Sequence, residues 1–204
     1  MNRYNAYGII ILAAGNSSRL GEPKQLLRYQ HKTLIRHITE AALATDVSDV
    51  VVVTGSNAPL IESELFGLSH HLAHNGGWQQ GMGSSIQTGL SKLKSLHPAL
   101  DGAIIAVSDQ PFVTAPLFQS LIEQINASKT GIAASSYADT LGTPVLFNKK
   151  YFNALLQLSG NEGAKKLLLK YSQDVTSVPF PLGNIDIDTK EDYKNFLLNQ
   201  LPSA

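Results

Sequence analysis

The chain has 204 residues, 43% of them hydrophobic and 16% charged, enough to bury one sizeable core and too apolar to be disordered by composition. Sixteen basic residues balance sixteen acidic ones, so the broad positive field of a nucleic-acid or anionic-membrane binder is absent, and only a local cationic pocket is left open. With no cysteine, disulfides, thiolate zinc sites, iron–sulfur ligation and cysteine nucleophiles are excluded.

Tyr7 to Ala14 reads as a buried strand. Its apolar core, Ile9 to Ala14, is too short to span a bilayer. With one arginine before it and a polar loop behind, it also makes a poor signal peptide, so a cytoplasmic protein is expected. Thr33 to Ala44 carries apolar residues at helical spacing. Asp49 to Gly55 holds four consecutive valines, as in a strand covered on both faces. Ala58 to Phe66 reads as a helix with Pro59 in its first turn, and His70 to His74 as a short strand. A helix over Ser84 to Leu93, a buried strand over Gly102 to Val107 and a helix over Ala115 to Ile125 follow.

Beyond Gly131, strands are expected at Ile132 to Tyr137 and Pro144 to Phe147, with a glycine and proline turn between them. Helices at Tyr151 to Leu158 and Glu162 to Tyr171, a strand at Val175 to Phe180 and a last helix ending near Leu198 complete the chain. Continuous apolar strands separated by helices predict an α/β fold, a three-layer sandwich around a mostly parallel, doubly wound sheet. No linker or repeat divides it. One domain over 1–204 is expected, its N-terminal half at about 7–130 and its second half at about 131–204 sharing one sheet.

In such a sheet ligands bind beyond the carboxyl ends of the strands. The stretch LAAGNSSRLGEPKQLL, Leu12 to Leu27, leaves the first strand at that edge. Small residues there let backbone approach a ligand, and consecutive N–H groups form an anion-binding concavity. Arg19 and Lys24 add positive charge where phosphates would lie. The spacing is neither a Walker A loop nor a G-x-G-x-x-G fingerprint. The plainer alternative is an ordinary strand-to-loop connection with surface cations.

That stretch resembles the signature L-A-A-G-x-S-x-R-M/F-G-x-x-K of the molybdenum-cofactor-type nucleotidyltransferases, through Leu12, Ala13, Ala14, Gly15, Ser17, Arg19, Gly21 and Lys24, with Leu20 in place of Met or Phe. NGGWQQGMGSSIQTGL, Asn75 to Leu90, resembles a second block of the molybdenum cofactor cytidylyltransferase group. The resemblance assigns base or ribose contacts to Gly81 and Ser85; the alternative is a capped helix start. AVSDQPFVT resembles the block whose aspartate, here Asp109, holds magnesium, with Gln110 where Met is common; a turn aspartate is the alternative. NIDIDTKEDY resembles the closing block and offers Asp188 as second metal ligand, with Asp186 on the same face if the stretch is extended. Against this, Asp188 or Thr189 could simply cap the last helix, with Glu191 and Asp192 in its acidic first turn. GTPVLF and LSGNEGAKKLL resemble acceptor-side blocks in which Asn161 and Lys165 replace Asp and Arg. Altogether the resemblance runs from Ile9 to Tyr193.

His70, His71 and His74 have no matching carboxylate nearby and read as strand or surface residues, Trp78 reads equally as packing or substrate platform, and no G-x-S-x-G elbow is present. The resemblance implies a nucleotide-diphospho-sugar transferase-like fold and a magnesium-dependent transfer of CMP from CTP to a phosphorylated acceptor, molybdenum-loaded molybdopterin. Leu12, Ala13, Ala14, Gly15, Gly81 and Ser85 would hold the nucleotide. Arg19, Lys24, Asp109 and Asp188 would be catalytic, and Asp109, Asp188 and Asp186 the metal ligands. The implied protein partner is a molybdenum hydroxylase or its assembly factor, with no nucleic acid and no membrane involved. The loop reads Leu12-Ala13-Ala14-Gly15, not L-A-G-G, which looks like the cytidylyl group. The alternatives are GTP as donor, a sugar or alcohol phosphate as acceptor, or a non-catalytic nucleotide- or cofactor-binding chaperone.

Overall fold

Residues 6–16, 21–185, 187 and 189–199 are described in a computed structural model. The first strand, β1 (Tyr7–Leu12), is buried at every position. It lies in register between β4 (Asp49–Thr54) and β6 (Gly102–Val107), so that Leu12 pairs with both Val53 and Val107. With β5 (His71–His74), β7 (Ile132–Tyr137), β8 (Thr140–Asn148) and β9 (Val175–Pro179) they make one seven-stranded sheet in the order β5-β4-β1-β6-β8-β7-β9. Every described pairing in this sheet is parallel except those of β8, which runs antiparallel to both β6 and β7. The doubly wound, mostly parallel α/β sandwich expected from the strand pattern is the fold observed.

Alternation along β1 divides the core into two layers. Ile9 and Ile11 face α1 (Leu34–Leu43), α2 (Ala58–Glu64) and α4 (Ala115–Ala127), meeting Ile35, Ile38, Ile61, Phe118 and Leu121. Ile10 and Leu12 face α3 (Met82–Leu96), α5 (Phe152–Leu156) and α6 (Ala164–Lys170), through Ile86, Leu90, Leu93, Leu155 and Leu167. Prolines stand in the first turns of α2 and α4, where the missing N–H costs nothing. The last helix, α7 (Lys190–Asn199), closes on a third, smaller cluster of Leu27, Leu34, Ile187 and Phe196.

Two local expectations are corrected, and one element is new. The turn between β7 and β8 is made by Ala138 and Asp139, at φ 45° and 57°, as a two-residue hairpin requires. Gly142 and Pro144 instead lie within β8, beside a register shift at Ala134/Ser135 that spares the proline a ladder bond. A small hairpin, β2 (Arg28–Tyr29) with β3 (Lys32–Thr33), was not foreseen. The third helix begins two residues before Ser84 and runs three beyond Leu93.

Candidate functional site

The carboxyl ends of β1, β4 and β6 share one edge of the sheet, and the chain beyond β1 stays tied to its neighbours. Ala13 donates its N–H to Val53 O at 2.9 Å, and Ala14 O accepts from Ser56 N–H at 3.1 Å. Gly55 makes this closeness feasible, because a Cβ there would stand 2.7 Å from Ala14 O and 2.8 Å from Ala14 Cβ. The side chains of Leu12, Ala13 and Ala14 are all buried in the core. Gly15 is different: it is exposed, and a Cβ on it would meet nothing within 4 Å. The loop therefore has a packed underside and an open top. Arg19 lies outside the described residues.

The chain returns to this edge at a short 3-10 turn, Lys24–Leu26. Lys24 Nζ stands 3.8 Å from Asp109 Oδ2, the lysine side chain 15% exposed and the carboxylate 33%. Asp109 is two residues past β6. The connection to β1 continues under it, with Ser108 N–H donating to Leu12 O at 3.2 Å. Gln110, next in line, donates from Nε2 to Thr143 O and Gly183 O, both at 3.1 Å. It thus joins the Asp109 turn to β8 and to the 3-10 turn Pro181–Asn184, which leads towards the closing motif. Asp186 and Asp188 lie outside the described residues, but Ile187 between them is fully buried against Leu27, Leu34 and Phe196. Thr189 N–H donates to Asp192 Oδ2 at 2.8 Å and Asp192 N–H to Thr189 Oγ1 at 3.1 Å, a reciprocal cap at the start of α7. The expected capping role thus falls to Thr189.

On the far side of β1, Asn75 organises the second motif. It is 5% exposed and takes its place through its N–H on Thr54 O. Its Oδ1 accepts from Gly77 N–H at 2.9 Å, while Nδ2 donates to the hydroxyls of Ser84 at 2.9 Å and Ser85 at 3.0 Å. Ser85 is accordingly buried beneath the surface. Gly81 sits at φ 102°, ψ −176°, and a Cβ on it would collide with the carbonyl of Gly160. The close approach that Gly81 permits is therefore between two chain segments. Trp78 packs, half-buried, against the β1–α3 layer.

Asn161 and Lys165 are exposed. Lys165 lines a cavity of about 570 Å³ with Tyr137, Asp139, Leu141, Leu169 and Ser177, at the tip of the β7–β8 hairpin. Because β7 is parallel to β1, this tip lies on the same edge as Asp109. Among the histidines, His70 Nδ1 lies 3.0 Å from Leu68 O and His71 Nε2 3.2 Å from Asp49 Oδ1. Among the described residues no three His, Cys, Asp or Glu side chains cluster as metal ligands, and no helix is long and apolar enough to cross a membrane.

Of the candidate residues, the structure thus unites Lys24 and Asp109 beside the open Gly15 loop. Gln25, Asn75 and Gln110, which hold these loops by buried amides, were not singled out from the sequence as site residues. Their positions beside Lys24, at the head of the second motif and beside Asp109 were the available signal.

Comparison with known proteins places the chain in a family. Residues 9–175 match the family model of the MobA-like NTP transferase domain. Purine catabolism protein PucB of Bacillus subtilis (strain 168) is 27% identical over 196 residues, 90% of this chain and 92% of its own. Nicotine blue oxidoreductase of Paenarthrobacter nicotinovorans is 29% identical over 166 residues, covering 78% and 79%. Among solved structures, Rv0371c from Mycobacterium tuberculosis H37Rv superposes with a TM-score of 0.82 at 27% identity, covering 96% of this chain and all of that one. Its complex with manganese gives 0.78 at 25% identity, covering 97% and 100%. The mostly parallel seven-stranded sheet with helices on both faces is the nucleotide-diphospho-sugar transferase-like fold. The chain belongs to the MobA-like NTP transferase family.

Proposed function

We propose that this MobA-like NTP transferase is a cytidylyltransferase, a single domain that moves CMP from CTP to a phosphorylated acceptor of the molybdopterin type and releases pyrophosphate. The observation that carries the reading is the meeting of Lys24 and Asp109 at 3.8 Å beside the open Gly15 loop. A cation and a carboxylate at one sheet edge suit a polyphosphate and the divalent ion that accompanies it. The choice of CTP rests on the resemblance of the Leu12–Gly15 loop to the cytidylyl group.

In this reading the triphosphate lies over Gly15, with Arg19 and Lys24 neutralising the charge that builds on the departing pyrophosphate. Leu12, Ala13 and Ala14 form the floor, and the segment from Gly81 to Ser85 borders the base. Asp109, with Asp188 or Asp186, would hold magnesium. Asp109 presents hard oxygen ligands of the kind this ion takes, and when bound the ion would offset phosphate charge. A terminal phosphate oxygen of the acceptor attacks the α-phosphorus, the bond to the β-phosphate oxygen breaks, and a new P–O–P link forms. A phosphate monoester has its second pKa near about 6, so the nucleophile arrives deprotonated and the chain needs no general base. The body of the acceptor would occupy the cavity of about 570 Å³ beyond β8, with Lys165 at its wall. A molybdenum hydroxylase or its assembly factor would receive the product.

The test has two stages. Thermal shifts with CTP, GTP, UTP and ATP, each with and without magnesium, should single out CTP with the metal. A ligand at a hundred times its Kd stabilises by about 2.7 kcal/mol. Pyrophosphate release with molybdopterin as acceptor should then vanish in Asp109→Ala while the melting curve is retained. Release at the wild-type rate from that variant would remove Asp109 from the metal site; a GTP preference would move the donor assignment. The relative named as an oxidoreductase favours a second reading, a redox enzyme on this fold, which predicts no pyrophosphate with any acceptor.

A further inference from the structure

Gln25 is 5% exposed, in a place where the core could have used an apolar side chain. Its Nε2 donates to Gly15 O at 3.2 Å and, less closely, to Ala13 O at 3.4 Å. Its Oε1 is buried and has no hydrogen-bond partner among the described residues. The amide orientation follows from its neighbours, since the opposite one would set a carbonyl-type oxygen against two backbone carbonyls. A buried acceptor without a donor is a cost that an apolar residue of similar size would not carry. Core packing alone therefore does not account for a glutamine here.

The consequence for the loop follows from peptide geometry. A peptide group is planar and trans, so a carbonyl and the N–H of the next residue point in opposite directions. With Gly15 O drawn inward onto Gln25, the N–H of Asn16 is turned outward. Outward is the open side of the loop, where Gly15 and Asn16 are exposed and a Cβ on Gly15 would touch nothing. Among the described residues no backbone hydrogen bond uses the N–H of Asn16.

We propose that Gln25 is a positioning residue for polyphosphate binding. By holding the Gly15 carbonyl beneath the loop, it presents the Asn16 N–H to an anionic oxygen above it. The proposal rests on the nucleotide reading given above and adds to it a residue that touches no substrate. It also separates two kinds of contribution: Lys24 supplies charge, and Gln25 supplies the direction of a backbone donor.

The experiment titrates magnesium tripolyphosphate and magnesium CTP calorimetrically into the wild type, Gln25→Leu and Gln25→Met. It also follows thermal unfolding and the amide resonance of Asn16. Both variants fill the site without a donor, and the unbranched methionine serves if leucine does not fold. The expected result is at least a tenfold loss of affinity, equal for tripolyphosphate and CTP, with a near-native melting curve. The shift of the Asn16 amide on adding tripolyphosphate should disappear. Wild-type affinity and a retained Asn16 shift in a folded variant would overturn the role of Gln25 and leave the nucleotide reading standing. A wild-type protein that binds neither probe would overturn that reading itself.

Discussion

Replacing Gly81 by alanine separates two explanations for a glycine at this position. One is room for a nucleotide; the other is the contact with Gly160. Gly81 lies at φ 102°, ψ −176°, a region held almost only by glycine, where a side chain costs about 1–3 kcal/mol. The added methyl would also meet the Gly160 carbonyl and stand 2.6 Å from Asn161 Oδ1. Backbone cannot swing aside as a side-chain tip can, and overpacking of this kind costs about 1–3 kcal/mol. Together these give about 2–6 kcal/mol, or a fall in Tm of about 4–24 °C at roughly 2–4 °C per kcal/mol for a chain of this size. Gly83 N–H donates to the same carbonyl at 3.3 Å, so the start of α3 should shift with it and CTP should bind more weakly. Scanning calorimetry with and without magnesium CTP measures both. A Gly81→Ala protein that melts with the wild type but loses CTP would refute the argument, and would return the glycine to the ligand.

Two further outcomes are expected. Ile187→Ala empties a fully buried position among Leu27, Leu34 and Phe196 and should cost about 2–5 kcal/mol in chemical denaturation. Because Ile187 lies between Asp186 and Asp188, the magnesium concentration for half-maximal activity should rise more than the KM for nucleotide; an unchanged metal requirement would uncouple this cluster from the site. At Asp174, burial works against the charged form, but bonds from Lys150 at 2.7 Å, from Tyr151 Oη and from Gly131 N–H prevail and hold its carboxyl below the ordinary range. A depressed folded-state pKa stabilises above the unfolded value, near about 3.9, and that stability is lost as pH falls through the folded one. Asp174→Asn should therefore melt below the wild type near neutral pH, with a gap that closes below about pH 4; a gap constant across that range would show that the carboxylate's charge is not what stabilises.

The parts legible in the sequence were those written in hydrophobic period. The four valines of β4 and the unbroken apolar run of β1 can only be strands covered on both faces. The β2–β3 hairpin was not legible. Its strands have two residues each, and its turn places Gln30 and His31 at φ 46° and 68° without the glycine or asparagine that announces such a turn. The β7–β8 turn failed likewise, because Gly142 and Pro144 drew attention from Ala138 and Asp139, which carry the positive φ values. Within the site, charge and glycine spacing pointed to Lys24 and Gly15, and the family resemblance to Asp109. They could not show Gln25, Asn75 and Gln110, whose work is done through bonds to residues up to 73 positions away. A buried amide has no period and no charge, and only the fold reveals what it holds.

The late antiparallel strand bears on how the chain is made. β6, reading Gly-Ala-Ile-Ile-Ala-Val, can pair with β1 as soon as it emerges, but its other side waits for β8. From Val107 to Asn148 the ribosome must add 41 residues, which takes about 2–8 s at roughly 5–20 residues per second. Throughout that interval an apolar, uncharged strand stands at the margin of a half-built sheet, a ready template for a neighbouring nascent chain. A truncation ending near Ser128 should therefore come off the ribosome aggregation-prone, and one extended past Asn148 should be markedly less so.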